Sequence, residues 1–134
     1  MAKKIKTKSS ETITEGLFRE FYGATTFIEK SAIPEEYGFK SKNNTDEPGY
    51  PDFFYETDKY AIVVEVKPLS TEFSKACKEA KFYAKENDLK KDVFAISMAG
   101  QNESDYKAGL FYIIDGNKIK EYETDGKLLS LEDI

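Results

Sequence analysis

The chain has 134 residues, the length of one ordinary domain. Its 20 Lys and Arg stand against 25 Asp and Glu, a formal net charge of -5, which argues against tight, autonomous binding to nucleic acid. With no histidine and one cysteine, the chain lacks the means for a histidine-activated nucleophile, a histidine base, a zinc cluster or an internal disulfide, so any hydrolytic chemistry must run on carboxylates, Lys and Tyr.

Residues 1–9, with Lys3, Lys4, Lys6 and Lys8, read as a disordered basic tail. Ser10-Glu11-Thr12-Ile13 opens a helix to about Tyr22, with hydroxyl side chains available as caps. Ile13, Leu17 and Phe21 fall on one side of it, and Phe18 and Tyr22 widen that stripe. Glu15 and Arg19 are spaced i, i+4, the spacing of an ordinary surface ion pair. Thr25 to Ile33 reads as a strand, and the polar run from Pro34 to Pro48 as a loop arching over the next pair of strands.

Phe53 to Glu56 and Tyr60 to Val66 are rich in aromatic and β-branched residues and form a predicted hairpin. Pro68 ends it. A helix from about Thr71 to Glu86 turns Phe73, Ala76, Cys77, Ala80, Tyr83 and Ala84 inward, which makes Cys77 a buried, inert thiol. Lys78, Lys81 and Lys85 form a stripe on the same helix, either a contact to phosphates or a solvated face. Asp92 to Met98 is the next strand, reached by a right-handed parallel crossover. After a loop from Ala99 to Lys107, Gly109 to Ile114 and Lys118 to Glu123 form a last hairpin around the turn signal Asp115-Gly116-Asn117. The predicted architecture is α/β: a mixed central β-sheet with an antiparallel hairpin at its centre and flanking helices. The domain spans residues 10–123, and residues 124–134 read as a tail or linker with no sharp ending signal, as expected of a domain from a longer polypeptide or a minimal relative of one.

The hairpin carries the chemistry. If Asp58-Lys59 is the loop, Tyr55 pairs with Ile62 and Asp52 with Glu65. Opposed residues share a face with Cβ atoms roughly 5 Å apart, and Lys67 shares it too because strand side chains alternate. A loop one residue longer would shift the register and spoil this convergence. Asp52 and Glu65 would supply carboxylate oxygens to a hard cation such as Mg2+, with the Val66 carbonyl as a third oxygen. Lys67 beside them would stabilise a developing phosphorane or orient the attacking water. The plainer alternative is a hairpin with a surface salt bridge between Glu65 and Lys67.

Three segments together resemble the PD-(D/E)xK nuclease superfamily, and within it the N-terminal nuclease domain of type I restriction endonuclease motor subunits. They are Glu15-Gly16-Leu17-Phe18-Arg19, similar to a first-helix Glu-x-x-x-Arg; Pro51-Asp52 with Glu65-Val66-Lys67; and Glu79 to Ala84, similar to the Gln-x-x-x-Tyr that follows the lysine, with Glu79 standing where a Gln is expected. The likeness covers roughly residues 10 to 115. It implies a restriction-endonuclease-like core, catalytic roles for Glu15, Asp52, Glu65 and Lys67 with Glu15 helping to position water or a second ion, auxiliary roles for Glu79 and Tyr83, and Mg2+ (or Mn2+ in its place) as cofactor.

The expected function is therefore a Mg2+-dependent DNA endonuclease domain of restriction type, acting on double-stranded DNA with helicase or translocase, methyltransferase and specificity parts as partners. The acidic charge fits a domain that cuts while other parts grip the DNA. The alternatives are a non-catalytic module of the same fold that binds DNA or protein, and a structure-specific nuclease of the junction-resolvase kind, which should form a symmetric dimer. No apolar run approaches the roughly 20 residues of a membrane span. The N-terminal lysines lack the hydrophobic stretch of a secretory signal. With the lone Cys77, this points to a cytoplasmic protein.

Overall fold

The computed structural model describes residues 2–41, 48–114, 118–122 and 124–134, with side chains at all of these except 2–10, 114 and 118. Helix α1 spans Ala2–Tyr22. It starts at Ala2 rather than Ser10, because the lysine-rich run expected as a tail contains good helix formers and neither Gly nor Pro to break it. Its last turn closes at Gly23, whose φ of 105° suits a residue without a side chain. The Thr26 hydroxyl donates back to the Tyr22 carbonyl at 2.6 Å.

The strand expected over 25–33 shortens to β1, Ile28–Glu29. A 3-10 turn at Lys30–Ala32 follows it, and Pro34, with no N–H to give a ladder, then bars further pairing. Strands β2 (Phe53–Glu56) and β3 (Tyr60–Lys67) form the expected hairpin. Tyr55 pairs with Ile62 and Phe53 with Val64, the register that a two-residue loop dictates. Asp58-Lys59 serves as that loop without glycine because the Thr57 hydroxyl accepts the N–H groups of Lys59 and Tyr60, each at 3.2 Å.

Helix α2 (Phe73–Lys85) carries the chain to β4 (Asp92–Ala99), which pairs parallel to β3 with Glu65 beside Ser97. Strands β5 (Lys107–Ile114) and β6 (Lys118–Tyr122) continue antiparallel. The turn signal Asp115-Gly116-Asn117 lies outside the described residues. One six-stranded mixed sheet results, in the order β1-β2-β3-β4-β5-β6.

Helices flank both sides of the sheet, so the central β3 is buried on both and reads as an apolar run. Ile62, Val64 and Val66 join Phe18 of α1 with Phe53, Ile96 and Met98 in one cluster. Ala61 and Val63 join Ala80, Tyr83 and Ala84 of α2 with Phe54 and Ala95 in the other. The small alanines let α2 lie close to the strands, while aromatic rings fill the α1 side, where Phe18 stacks on Phe53 with centroids 4.5 Å apart. Residues 124–134, expected as a tail or linker, pack on the α1 side through Leu128, Leu129, Leu131 and Ile134. Leu128 is buried there, and the Tyr22 hydroxyl donates to the Leu129 carbonyl at 2.5 Å. Among the described residues no helix is long and apolar enough to cross a membrane.

Candidate functional site

The ladder between β2 and β3 stops at Phe53, and Asp52 sits just past it. Its N–H still donates to the Val64 carbonyl at 2.9 Å, and also meets the Glu65 carboxylate, with Oε2 at 3.2 Å. In return the Val66 N–H donates to Asp52 Oδ2 at 2.9 Å. Each acid is thus oriented by the backbone of the other strand. On a strand, the N–H and C=O of one residue point to the same edge. The Val66 carbonyl therefore points toward Asp52, while the Lys67 carbonyl points the other way and accepts the Gly100 N–H at 3.1 Å. Glu65 is 0% exposed. The expected meeting of Asp52 and Glu65 is observed.

A second set of charges gathers outside this pair. Glu15, Glu29, Lys30 and Asp52 line a cleft of about 210 Å³. Lys30 Nζ lies 3.1 Å from Asp52 Oδ1, and the Lys30 N–H donates to the Asp52 carbonyl at 3.1 Å. Arg19 meets Glu15 at 3.6 Å, as its spacing predicts. Its stronger partner is Glu29, which takes both Nε and Nη2 at 2.7 Å in a two-pronged contact. Glu15 is held at the cleft by its neighbour Thr14, whose buried hydroxyl donates to the Gly100 carbonyl at 2.7 Å. Gly100 has φ 122°, and a Cβ there would lie 2.9 Å from the Tyr106 Cα, so the close turn at the end of β4 needs glycine.

Lys67 projects on the α2 side, where its ammonium meets Glu79 Oε1 at 2.8 Å, both side chains largely buried. The position where a Gln was expected therefore carries the lysine's counter-charge. Tyr83 packs in the α2 core against Phe39 and Phe82. Lys78, Lys81 and Lys85 do not approach the acids. They line a groove of about 550 Å³ with Phe73, Cys77, Phe82 and Phe111, and Lys81 Nζ sits 4.2 Å above the Phe111 ring. At 100° per residue, Glu79 leaves α2 from another side. Cys77, expected to be buried, is only partly covered because it borders this groove; burial still pushes its thiol up.

Burial drives the Asp52 carboxyl upward, but the Glu65 hydrogen bond, the Val66 N–H and Lys30 outweigh it and hold it below the usual carboxylate range. Glu15 moves the other way: burial first, and then the Asp52 charge, raise it against the pull of Arg19. Adjacent acids thus differ in proton affinity, the kind of separation that marks functional sites as well as structural ion-pair networks.

Sequence reasoning missed Lys30, Thr14 and the Arg19–Glu29 contact. The β1–β2 register, Ile28 with Phe54 and Glu29 with Phe53, places Lys30 opposite Asp52 once extended by one residue. Nothing in the sequence reveals which residues of 25–33 pair, so that signal was out of reach.

Among the described residues, no group of three or more His, Cys, Asp or Glu side chains is placed to hold a metal ion. A hard cation needs fewer, since Mg2+ is commonly held by one or two carboxylates with water and substrate oxygens. The donor set here fits that mode: Asp52, Glu65 and the Val66 carbonyl all offer oxygen atoms at one strand end. No family model matches the chain, and no curated protein or solved structure matches it.

Proposed function

We propose that this chain is a Mg2+-dependent phosphodiester hydrolase acting on double-stranded DNA, an endonuclease domain of restriction type with a restriction-endonuclease-like core. The observation that carries the reading is the crossed bonding at the end of β2 and β3, where the Asp52 N–H donates to the Glu65 carboxylate and the Val66 N–H to the Asp52 carboxylate. Two buried acids are costly side by side unless a cation or proton is shared between them. Asp52 and Glu65, with the Val66 carbonyl, would hold the Mg2+ ion, which when bound supplies Lewis-acid polarisation of the scissile phosphate and a more acidic water. Lys67, fixed by Glu79, presents a positive charge where negative charge builds on phosphorus. Glu15, whose carboxyl holds its proton more tightly than usual, faces the cleft that Asp52 lines and is suited to positioning water there.

The lysines of the α2 groove support weak phosphate contact away from the acids, consistent with a net charge of -5 and with DNA held by translocase, methyltransferase and specificity parts. A second reading has one observation in its favour. Lys30 already pairs with Asp52, and Lys67 is already engaged by Glu79, as in a module of this fold that binds without cutting.

Conversion of supercoiled plasmid to nicked circles in Mg2+ or Mn2+ separates the two. Under the nuclease reading the chain nicks, and Asp52→Ala or Lys67→Ala lowers the rate by about 10²–10³. Nicking that survives both substitutions would overturn the assigned site. A well-folded wild-type chain that binds DNA without nicking, even with the partner parts added, would favour the binding module.

A further inference from the structure

We propose that Lys30 is a displaceable counter-ion: it occupies Asp52 Oδ1 in the metal-free protein and must swing away when a divalent cation binds, so that it sets the affinity of the site. This inference rests on the metal-dependent reading of the Asp52–Glu65 edge. The geometry that carries it is the division of labour between the two Asp52 oxygens. Oδ2 is committed to the Val66 N–H, which leaves Oδ1 as the oxygen facing the cleft, and Lys30 Nζ lies 3.1 Å from it. A cation entering from the cleft meets the ammonium first.

Lys30 is built to give way. Its backbone is anchored, since its N–H donates to the Asp52 carbonyl at 3.1 Å, so the side chain returns to the same acid whenever it is released. Yet that side chain is 54% exposed, against 10% for Asp52. A flexible four-carbon stem at the mouth of a cleft can carry its charge into water, and an ion pair with one partner so exposed holds less firmly than one buried on both sides. The ammonium then remains at the entrance, at the position from which a substrate phosphate approaches. Lys67 is the contrasting case. Its pair with Glu79 is largely buried on both sides, and it stays in place.

Calorimetric titration of Mn2+ into the full chain tests the idea, using wild type, Lys30→Gln, Lys30→Arg and Asp52→Asn, each checked for folding by circular dichroism. Lys30→Gln is expected to bind Mn2+ about three- to fivefold more tightly, as removal of a largely solvated ammonium should give, with Lys30→Arg close to wild type and Asp52→Asn much weaker. Binding seen only in Lys30→Gln would support the proposal in its strongest form. Unchanged or weaker binding by Lys30→Gln, with Asp52→Asn still impaired, overturns the role of Lys30 and leaves the metal site standing. Binding indifferent to Asp52→Asn, or no binding by any folded variant, overturns the metal site and the role of Lys30 with it.

Discussion

At the end of β2 and β3, the Asp52 N–H donates to the Glu65 carboxylate and the Val66 N–H to the Asp52 carboxylate, which draws the two acids together; along α2, Lys78, Lys81 and Lys85 border an open groove, with Lys81 over the Phe111 ring. Both sets stand out in the sequence by spacing alone. They differ in what the spacing fixes. Strand register determines which side chains meet across a pair, so two carboxylates can be forced into contact despite their charge. Helical spacing only places charges on one side of a cylinder, where each stays solvated unless another element covers it. Convergence with burial points to a site more strongly than a solvated stripe does, since a stripe attracts by charge alone.

The largest effect that sharpens this contrast lies in Glu79, the one acid of α2. Glu79→Gln keeps the side-chain shape but removes the charge that meets Lys67 at 2.8 Å. Under the proposed function it is expected to slow plasmid nicking by about 10- to 100-fold, as loss of an orienting partner does, while leaving DNA affinity unchanged. An equal loss in affinity and rate would mean that Lys67 holds substrate rather than serving the chemistry.

The groove should behave in the opposite way. Replacing Lys78, Lys81 and Lys85 together by alanine is expected to weaken binding to duplex DNA and to flatten the salt dependence of log K by at most about three times 0.9. The nicking rate at saturating DNA should not change. A loss of rate at saturation would break the distinction between the two regions.

The smallest effect is electrostatic and concerns stability. Glu15 has a raised carboxyl, so the folded chain binds its proton more tightly than the unfolded one. Its stabilising contribution is present below the ordinary value of 4.5 and is lost as pH rises through the folded value. Glu15→Gln should therefore raise unfolding free energy at neutral pH, by about a few tenths of a kcal/mol after solvent screening, with no gain in acid. Asp52 is lowered, and its contribution is present above 3.8 and is lost as pH falls toward the folded value. Asp52→Asn should flatten the acid limb of the same urea-unfolding series. Parallel acid limbs for wild type and Asp52→Asn would show that Asp52 gains nothing from its neighbours.

Much of the framework was legible in the chain. The alternation around Asp58-Lys59 was enough to place Tyr55 opposite Ile62 and so Asp52 against Glu65, and the apolar run of β3 gave a strand covered on both faces. The parallel step to β4 followed from a helix between two strands. What escaped was set by tertiary pairing. Lys30 reaches Asp52 through a two-residue strand whose register no pattern announces. Thr14 reads as one more helix residue, yet it ties α1 to the Gly100 carbonyl across the molecule. Glu79 was singled out by position, but that it meets Lys67 depends on how α2 lies on the sheet. The lysine-rich start of α1 and the docked segment 124–134 show the limit of composition: polar or terminal stretches still take regular structure or pack when nothing breaks the helix or when enough leucines are present.

The most direct test of the central claim is to locate Mn2+ in crystals of the wild-type chain by its anomalous scattering. The account expects one peak at about 2.0–2.3 Å from oxygens of both Asp52 and Glu65, with the Lys30 ammonium moved off Asp52. Saturating Mn2+ that leaves this strand end empty, with Lys30 still paired to Asp52, would contradict it.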